Sequence, residues 1–314
     1  YGNCHFECLW IYPIDIYFSK RGILMNVATI LLVVMWVYAA VYFIFLLKDV
    51  IAHKDEINNE KLPHNIIISL VANFFDTLGI GSYAIATSAW KFTKSNSDDL
   101  IPGSLNVSFA IPICVEATIF IKKVQADSLT LVLMIAASVV GAVIGAKMVS
   151  KLDITKIRTV MGVALILVAI ITLCKINAFG PFGIIGTARG LTGTKLVIGI
   201  VANFILGILM TVGIGLYAPC MAVVLLLGMS TDVAFPIMMG SCAYLCPASG
   251  FEFIKSGKYH RGAAIPMVIS GSIGVLIAGL IVTSLPLTVL TYLVCVVMVI
   301  CACMFFHDAR KAAR

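Results

Sequence analysis

Two stretches of this chain decide its fold: residues 71–84 read VANFFDTLGIGSYA, and residues 201–218 read VANFILGILMTVGIGLYA. Each carries the words Val-Ala-Asn-Phe and Gly-Ile-Gly inside a long apolar segment, and the second copy has four extra residues between them. A duplicated, glycine-interrupted membrane segment is typical of the substrate site of a transporter. The pattern therefore predicts a membrane protein with two related halves.

The composition indicates a protein of the membrane. Of its 314 residues, 61% are hydrophobic and 12% are charged, and the mean hydropathy is +1.07. Soluble domains carry about 45–50% apolar and about 25% charged residues. The apolar runs are continuous rather than alternating, which argues against a β-barrel. The net charge of +7 is spread over connecting loops, so it is a topology signal rather than a nucleic-acid-binding surface.

The sequence thus predicts an all-α, multi-pass protein of the plasma membrane with about nine membrane segments. These segments are residues 23–47, 65–90, 100–121, 128–149, 157–177, 196–228, 232–254, 263–284 and 287–306. They are expected to form one extra N-terminal helix followed by two homologous four-span repeats with glycine-broken helices. The expected partners are the lipid bilayer and a small anion, and not nucleic acid.

The predicted organisation has five parts. A lead-in with the extra helix and a loop occupies 1–64, repeat A 65–177, a Gly- and Thr-rich connector 178–195, repeat B 196–306, and a basic tail 307–314. If every segment crosses once, the repeats are parallel. If each broken segment enters and leaves on one side, they are inverted, and both arrangements stay open at this stage.

Orientation follows from the basic residues. With single crossings, the loops holding Lys48 to Lys61, Lys122-Lys123 and Lys255 to Arg261 share one side with the C-terminal tail. Cytoplasmic loops carry an excess of Lys and Arg, so this side is expected to be cytoplasmic.

The Gly-Ile-Gly breaks predict an anion site. Their free backbone groups cannot face lipid and must line a cavity or meet a ligand, and a restarted helix points its amides and positive dipole end at that place. The substrate-binding candidates are Asn73, Gly79, Gly81, Ser82, Tyr83, Ser104, Asn106, Asn203, Gly213, Gly215, Tyr217 and Ser241. Asn73 and Asn203 are expected at equivalent depths across one central cavity.

Simpler explanations exist for the same residues. Glycines let helices pack closely, which is the favoured role for Gly141 to Gly145 and for Gly271, Gly274 and Gly279. Serines and asparagines can hydrogen-bond back to their own helices.

Two carboxylates within apolar segments are candidates for ion coupling. Intramembrane carboxylates are costly and often serve as proton carriers or ion ligands. Asp76 lies beside the first break, and Glu116 follows Pro112. The alternative for Asp76 is a solvated position in a wet vestibule. Proton or cation coupling is therefore open.

Catalytic chemistry is not indicated. The five histidines lie in loops or termini, no Cys/His spacing suits a metal, and the sequence lacks a Gly-x-x-x-x-Gly-Lys phosphate loop. We expect no enzyme activity, no cofactor and no metal. Most cysteines lie in apolar runs and serve as small hydrophobic residues, whereas Cys4 and Cys8 could pair in an oxidising compartment.

Several motifs together point to a family. They are the paired breaks Gly79-Ile80-Gly81 and Gly213-Ile214-Gly215, the run Gly141 to Ala146 followed by Leu152, Arg158 and Gly162, and the proline spans ending in Phe-Ile-Lys. Over roughly residues 65–306 the chain resembles the sulfite exporter TauE/SafE family of membrane permeases, also called the toluene sulfonate uptake family. Members commonly carry another glycine after Gly-Ile-Gly, where Ser82 and Leu216 stand here.

The resemblance implies a secondary transporter of small sulfur-containing anions such as sulfite or organosulfonates. The breaks place the anion near the membrane midplane between two broken helices. The alternatives are an anion channel of the same fold without ion coupling, and a membrane scaffold that transports nothing.

Overall fold

The structure, a computed structural model, describes most of the helices and some of the connecting segments. The described residues are 27–57, 61–77, 81–121, 126–149, 154–177, 188–213, 215–216, 219–220, 223–224, 227–229, 231–281, 296, 299–300, 302–307 and 309–310. Cys4 and Cys8, and much of the predicted span 287–306, lie outside them.

The described residues form a bundle of helices, of which ten are long enough to number. They are α1 (Val27–Ala52), α2 (Leu62–Thr77), α3 (Ser82–Thr93), α4 (Ile101–Ser108), α5 (Ala110–Ile121), α6 (Ser128–Val149), α7 (Ile154–Ile176), α8 (Gly193–Met210), α9 (Thr231–Ser256) and α10 (Arg261–Ile281). Helices α1, α6, α8, α9 and α10 are each long and apolar enough to cross a bilayer, and α4 with α5 would form a sixth, bent crossing. An all-helical, multi-pass architecture is therefore confirmed, whereas nine segments stay a prediction.

Prolines shape the two helices at the centre of the bundle. Helices α4 and α5 meet at 44°, because Pro112 cannot donate a backbone hydrogen bond to Ser108 and its ring clashes with that turn. Helix α9 contains Pro247 yet continues. Pro247 leaves the Ala243 carbonyl without its usual partner, and Cys114 Sγ of α5 lies 3.5 Å from that oxygen.

The first broken segment forms a hairpin. At its base, Lys61 Nζ donates to the Lys94 carbonyl at 2.9 Å. At its tip, the Ser82 amide donates to Asp76 Oδ1 at 3.0 Å. Because contacts join both the outer and the inner ends, α2 and α3 run antiparallel, and the segment enters and leaves at one end of the bundle.

The second broken segment also begins and ends at one end of the bundle. The Ala188 amide, just before α8, donates to the Gly228 carbonyl at 3.1 Å. The Leu227 side chain packs beside Gly199 in the second turn of α8. The chain therefore enters along α8 and comes back to the beginning of that helix.

The two hairpins open at opposite ends. At one end, α2, α7 and α10 begin and α1, α3, α6 and α9 finish; we name this the lysine-rich end. Contacts between helix termini define it: Lys61–Lys94, Asp49–Arg261, Arg158–Asp98 and Lys147–Glu252. At the other end, the Asp127 amide before α6 donates to the Arg189 carbonyl before α8 at 2.8 Å.

Opposed hairpins are the arrangement that inverted repeats produce. Helix α5 finishes beside the N-terminal half of α1, where Trp36 Nε1 donates to Thr118 Oγ1 at 3.0 Å. It therefore ends away from the lysine-rich end. The expected side assignment assumed single crossings, so it is wrong for the end of α5, because the α2–α3 hairpin does not cross. The second hairpin does not cross either, so the end of α9 and Arg261 return to the lysine-rich end, as expected.

Glycines bring two pairs of helices into backbone contact. A Cβ added at Gly207 of α8 would lie 2.2 Å from the Ser138 carbonyl oxygen of α6. A Cβ at Gly274 of α10 would lie 2.2 Å from the Leu70 carbonyl oxygen of α2. Gly141 of α6 is equally tight against α8. The packing role predicted for the α6 and α10 glycines is confirmed at Gly141 and Gly274.

Gly207→Ala is expected to destabilise the protein by about 1–3 kcal/mol, because the added methyl group overpacks a backbone contact. Thermal unfolding in detergent measures this loss. Gly215→Ala is the matched control, since a Cβ at Gly215 has no neighbour within 4 Å and should leave the melting temperature near that of the wild type. Equal melting temperatures for the two variants would contradict the close packing of α6 on α8.

Candidate functional site

A small cavity lies where the tip of the first hairpin meets α5, α9 and the second broken segment; we name it the central cavity. Its lining residues are Asp76, Gly81, Ser82, Tyr83, Ile113, Glu116, Met210, Gly215, Leu216, Met239 and Cys242. Its volume is about 20 Å³, roughly enough for one water molecule. Helix α3 spans roughly 18 Å at 1.5 Å per residue, so the cavity at its N-terminus lies roughly 18 Å from the lysine-rich end.

Asp76 occupies the N-terminus of α3. Its Oδ1 accepts from the Ser82 amide at 3.0 Å, and its Oδ2 accepts from Ser82 Oγ at 2.6 Å. Gly81, the residue before α3, has φ of +84° and no side chain to cap the helix. The carboxylate of Asp76 therefore takes the place that a bound anion would take at a helix N-terminus.

Glu116 brings a second carboxyl group to the same cavity. Its side chain is 1% exposed, and Oε1 has no hydrogen-bond partner among the described residues. None of the described lining residues is basic. Two buried carboxylates without a basic neighbour repel one another and lose hydration, so this pair is suited to hold a proton or a cation.

The glycines at the two breaks differ from the packing glycines. A Cβ added at Gly81 or at Gly215 would meet no atom within 4 Å. Both residues line the central cavity, so their missing side chains leave space there. Gly213 is buried with φ of +97°, a conformation that glycine adopts readily. The candidates Gly79 and Tyr217 lie outside the described residues.

The remaining lining residues are Tyr83, three sulfur-containing residues and two aliphatic residues, Ile113 and Leu216. Tyr83 Oη lies 3.3 Å from Cys246 Sγ. Cys242, Met210 and Met239 complete the wall opposite the hairpin tip. Sequence reasoning did not choose Cys242 as a site residue; its position next to Ser241 in a proline-containing segment was the available signal.

The candidate asparagines are not among the residues that line the cavity. Asn203 Nδ2 donates to the Met134 carbonyl of α6 at 2.7 Å and to Ser241 Oγ of α9 at 2.9 Å. Asn73 Nδ2 donates to the Ser69 carbonyl at 2.8 Å. Asn203 and Ser241 therefore join α8 to α6 and α9, whereas Asn73 bonds back to its own helix α2.

Interhelical hydrogen bonds indicate which residues of the two halves are equivalent, and this pairing differs from the one given by the repeated Val-Ala-Asn-Phe. Ser69 Oγ donates to the Met267 carbonyl, and Asn203 Nδ2 donates to the Met134 carbonyl, both at 2.7 Å. The donors are 203 − 69 = 134 positions apart, as are Gly81 and Gly215 (215 − 81 = 134). Asn203 therefore corresponds to Ser69, and the predicted equivalence of Asn73 and Asn203 is wrong. At this offset the two segments are equally long between the contact and the break, so the word Val-Ala-Asn-Phe lies four residues, about one helical turn, earlier in α8 than in α2.

Ser104 and Asn106 likewise bond away from the central cavity. Ser104 Oγ accepts from the His260 amide at 3.0 Å. Asn106 Nδ2 donates to the Pro102 carbonyl at 2.9 Å, and its Oδ1 accepts from Ser249 Oγ at 2.7 Å. They fix α4 to α9 and to the loop before α10.

One known protein family matches part of the chain. Residues 19–172 match the model of the Sulfite exporter TauE/SafE family. The TauE/SafE resemblance is thereby confirmed for this range, which includes α1 and the first hairpin. The match starts before residue 65, so it covers α1 as well as Asp76, Ser82 and Glu116. The TauE/SafE match suggests a membrane transporter of sulfur-containing anions. Searches of curated proteins and of solved structures found no significant match.

Proposed function

We propose that this protein is a secondary transporter of a small sulfur-containing anion, such as sulfite or an organosulfonate, across the plasma membrane. The observation that carries the proposal is the meeting of the two broken segments at one buried cavity, where Gly81 and Gly215 leave space and Ser82 offers an amide and a hydroxyl. It is not an enzyme and needs no cofactor.

The anion binds at the N-terminus of α3. There the Ser82 amide and hydroxyl, now held by Asp76, become donors to the anion once the carboxylate gives way. Gly213, Gly215 and the neighbouring backbone approach from the other side. Because the cavity holds roughly one water molecule, the hairpins separate before a larger anion can enter.

The two halves act as inverted repeats. Residues 65–177 and 196–306 form the repeats, with the connector at 178–195 between them. Their hairpins open at opposite ends of the bundle, and alternating access in such folds is largely the rocking of one repeat against the other around a fixed site. The closed cavity between the hairpins favours this cycle over a continuously open channel.

Asp76 and Glu116 couple transport to protons. When Asp76 gains a proton, it no longer competes as an anion for the amide of Ser82. The incoming anion then takes those hydrogen bonds, and the proton offsets its charge in the low-dielectric cavity. Glu116, in the same cavity, accepts the proton when Asp76 releases it.

Purified protein in proteoliposomes tests the function. Sulfite, thiosulfate, taurine, sulfoacetate and sulfate are supplied one at a time, with and without an imposed pH gradient. We expect saturable flux of at least one sulfur anion that responds to the gradient, and stabilisation of the folded protein by about 2.7 kcal/mol at 100 times its Kd. Flux without response to the gradient would indicate a channel, and no flux or stabilisation by any anion would refute the proposal.

A further inference from the structure

A second and larger cavity opens at the lysine-rich end. Its volume is about 740 Å³, and it lies between the base of the first hairpin, the start of α7 and the loop before α10. It shares no lining residue with the central cavity. A space of this size is typical of a small-molecule site.

The lining of this cavity is strongly basic. Four cationic side chains line it, namely Lys61, Lys91, Lys94 and Arg158, against the single carboxylate of Asp98. The charge balance is 4 − 1 = +3 among these groups. Burial lowers the pKa of His260, which also lines the cavity, so His260 is neutral near pH 7 and leaves this balance unchanged. A concave surface of one sign concentrates ions of the opposite sign.

Asp98 fixes the position of two of these cations. Arg158 Nε lies 2.6 Å and Lys91 Nζ lies 3.5 Å from the same oxygen, Oδ2. Lys91 is only 8% exposed, and its ammonium group also lies 4.6 Å from the centre of the Phe305 ring. Lys91 and Arg158 are therefore held at the wall of the cavity rather than extended into solvent, whereas Lys61 and Lys94 are exposed.

The buried side-chain amide of Asn96 is the feature that indicates a ligand. It lines the cavity and is 8% exposed, yet neither Nδ2 nor Oδ1 has a hydrogen-bond partner among the described residues. A buried amide without partners costs roughly 1–3 kcal/mol. A rotation of this side chain that turns Nδ2 into the cavity would let it donate to an oxyanion, which the surrounding cations would attract.

We propose that this cavity is a receiving site that binds a small oxyanion at the lysine-rich end before the anion reaches the central cavity. The inference rests on the proposed transport function and adds to it where the anion first binds. Since the lysine-rich end is the cytoplasmic one by its charge, the site receives anions from the cytoplasm. Asn96 and Lys94 are its binding residues, and Asp98 is a positioning residue.

Two variants test the site. Their shared control is a third variant, which removes one positive charge at the same end of the bundle. Asn96→Ala should raise KM for sulfite supplied at the lysine-rich end about tenfold with kcat unchanged, because it removes a hydrogen bond to a charged ligand. Lys94→Gln should raise KM about two- to fivefold at low salt and have no effect near 1 M salt, where charges are screened. Lys54→Gln, an exposed residue outside the cavity, should leave KM unchanged.

Binding separates this site from the transport function. Sulfite should still raise the melting temperature of Gly215→Val protein, whose central cavity is filled, and about ten times more sulfite should be needed for the same rise when Asn96→Ala is added. If this pattern holds while the wild type moves no sulfite, the receiving site stands and the transport proposal fails. If Asn96→Ala and Lys94→Gln both match Lys54→Gln in KM and salt dependence, the receiving site is refuted.

Discussion

Replacing Gly215 with valine is expected to reduce anion flux below about 1% of wild type while the protein stays folded. The valine side chain adds three carbon atoms to a residue that lines the central cavity, whose volume is about 20 Å³. A Cβ at this position meets no atom within 4 Å, so the first added carbon has room, and the two further methyl groups of valine occupy the space of the cavity. A misplacement of about 1 Å between reacting or binding partners can lower a rate about a hundredfold, and we expect a loss of flux of this order.

The measurement is sulfite flux in proteoliposomes together with the melting temperature and the elution volume of the purified variant. Gly215→Ala should retain part of the flux, since it adds a single methyl group. Gly81→Val is the less informative partner, because φ of +84° at Gly81 strains any branched residue and lowers stability as well. Wild-type flux in well-folded Gly215→Val protein would remove the central cavity from the transport path.

Asp76→Asn is expected to keep anion binding and to lose the pH dependence of transport. The asparagine can still accept from the Ser82 amide, so the N-terminus of α3 stays capped, but it cannot exchange a proton. In the wild type, flux should fall by up to about tenfold per pH unit once the pH rises past the release of one essential proton. In the variant, flux should be flat over the same range.

Other titratable groups face Asp76 and need their own controls. Glu116 comes from α5, Tyr83 from α3 and Cys242 from α9, all lining the same cavity. Glu116→Gln tests whether the second carboxyl group carries the proton instead. Asp55→Asn, an exposed aspartate in the turn after α1, is the matched control and should keep the wild-type profile. A wild-type profile in Asp76→Asn would transfer coupling to Glu116, or leave a channel if Glu116→Gln is also unaffected.

Residue types and local spacing predicted part of this molecule well. Continuous apolar runs indicate membrane helices whatever their partners, and the confirmed architecture follows from them. The structure brings Asp76, Ser82, Glu116 and Gly215 to one cavity. Asp76, Glu116 and Gly215 were chosen because buried carboxylates and glycine breaks are costly in lipid, and Ser82 was chosen as a hydroxyl donor beside a break. Their roles in transport remain a prediction.

Other features depend on contacts that spacing does not encode. The apolar segment 65–90 has 26 residues, which fits a single membrane crossing as well as a hairpin. The hydrogen bond that distinguishes the two joins Lys61, before the segment, to Lys94, after it. Asn73 and Asn203 were matched by their shared word. Relative to the interhelical contacts, this word lies four residues, about one helical turn, earlier in α8 than in α2, so it matched residues that are not equivalent in position.

The partners of α2 lie far along the chain. It packs against α10, and the bond from Ser69 to Met267 joins residues 198 positions apart. At a synthesis rate of about 5–20 residues per second, the first hairpin is made roughly 10–40 s before that partner emerges. Its glycine-rich tip and the carboxyl group of Asp76 must pass this interval without their native neighbours. The nascent chain is therefore most exposed to misassembly and to quality control while its first functional segment waits for its last transmembrane helices.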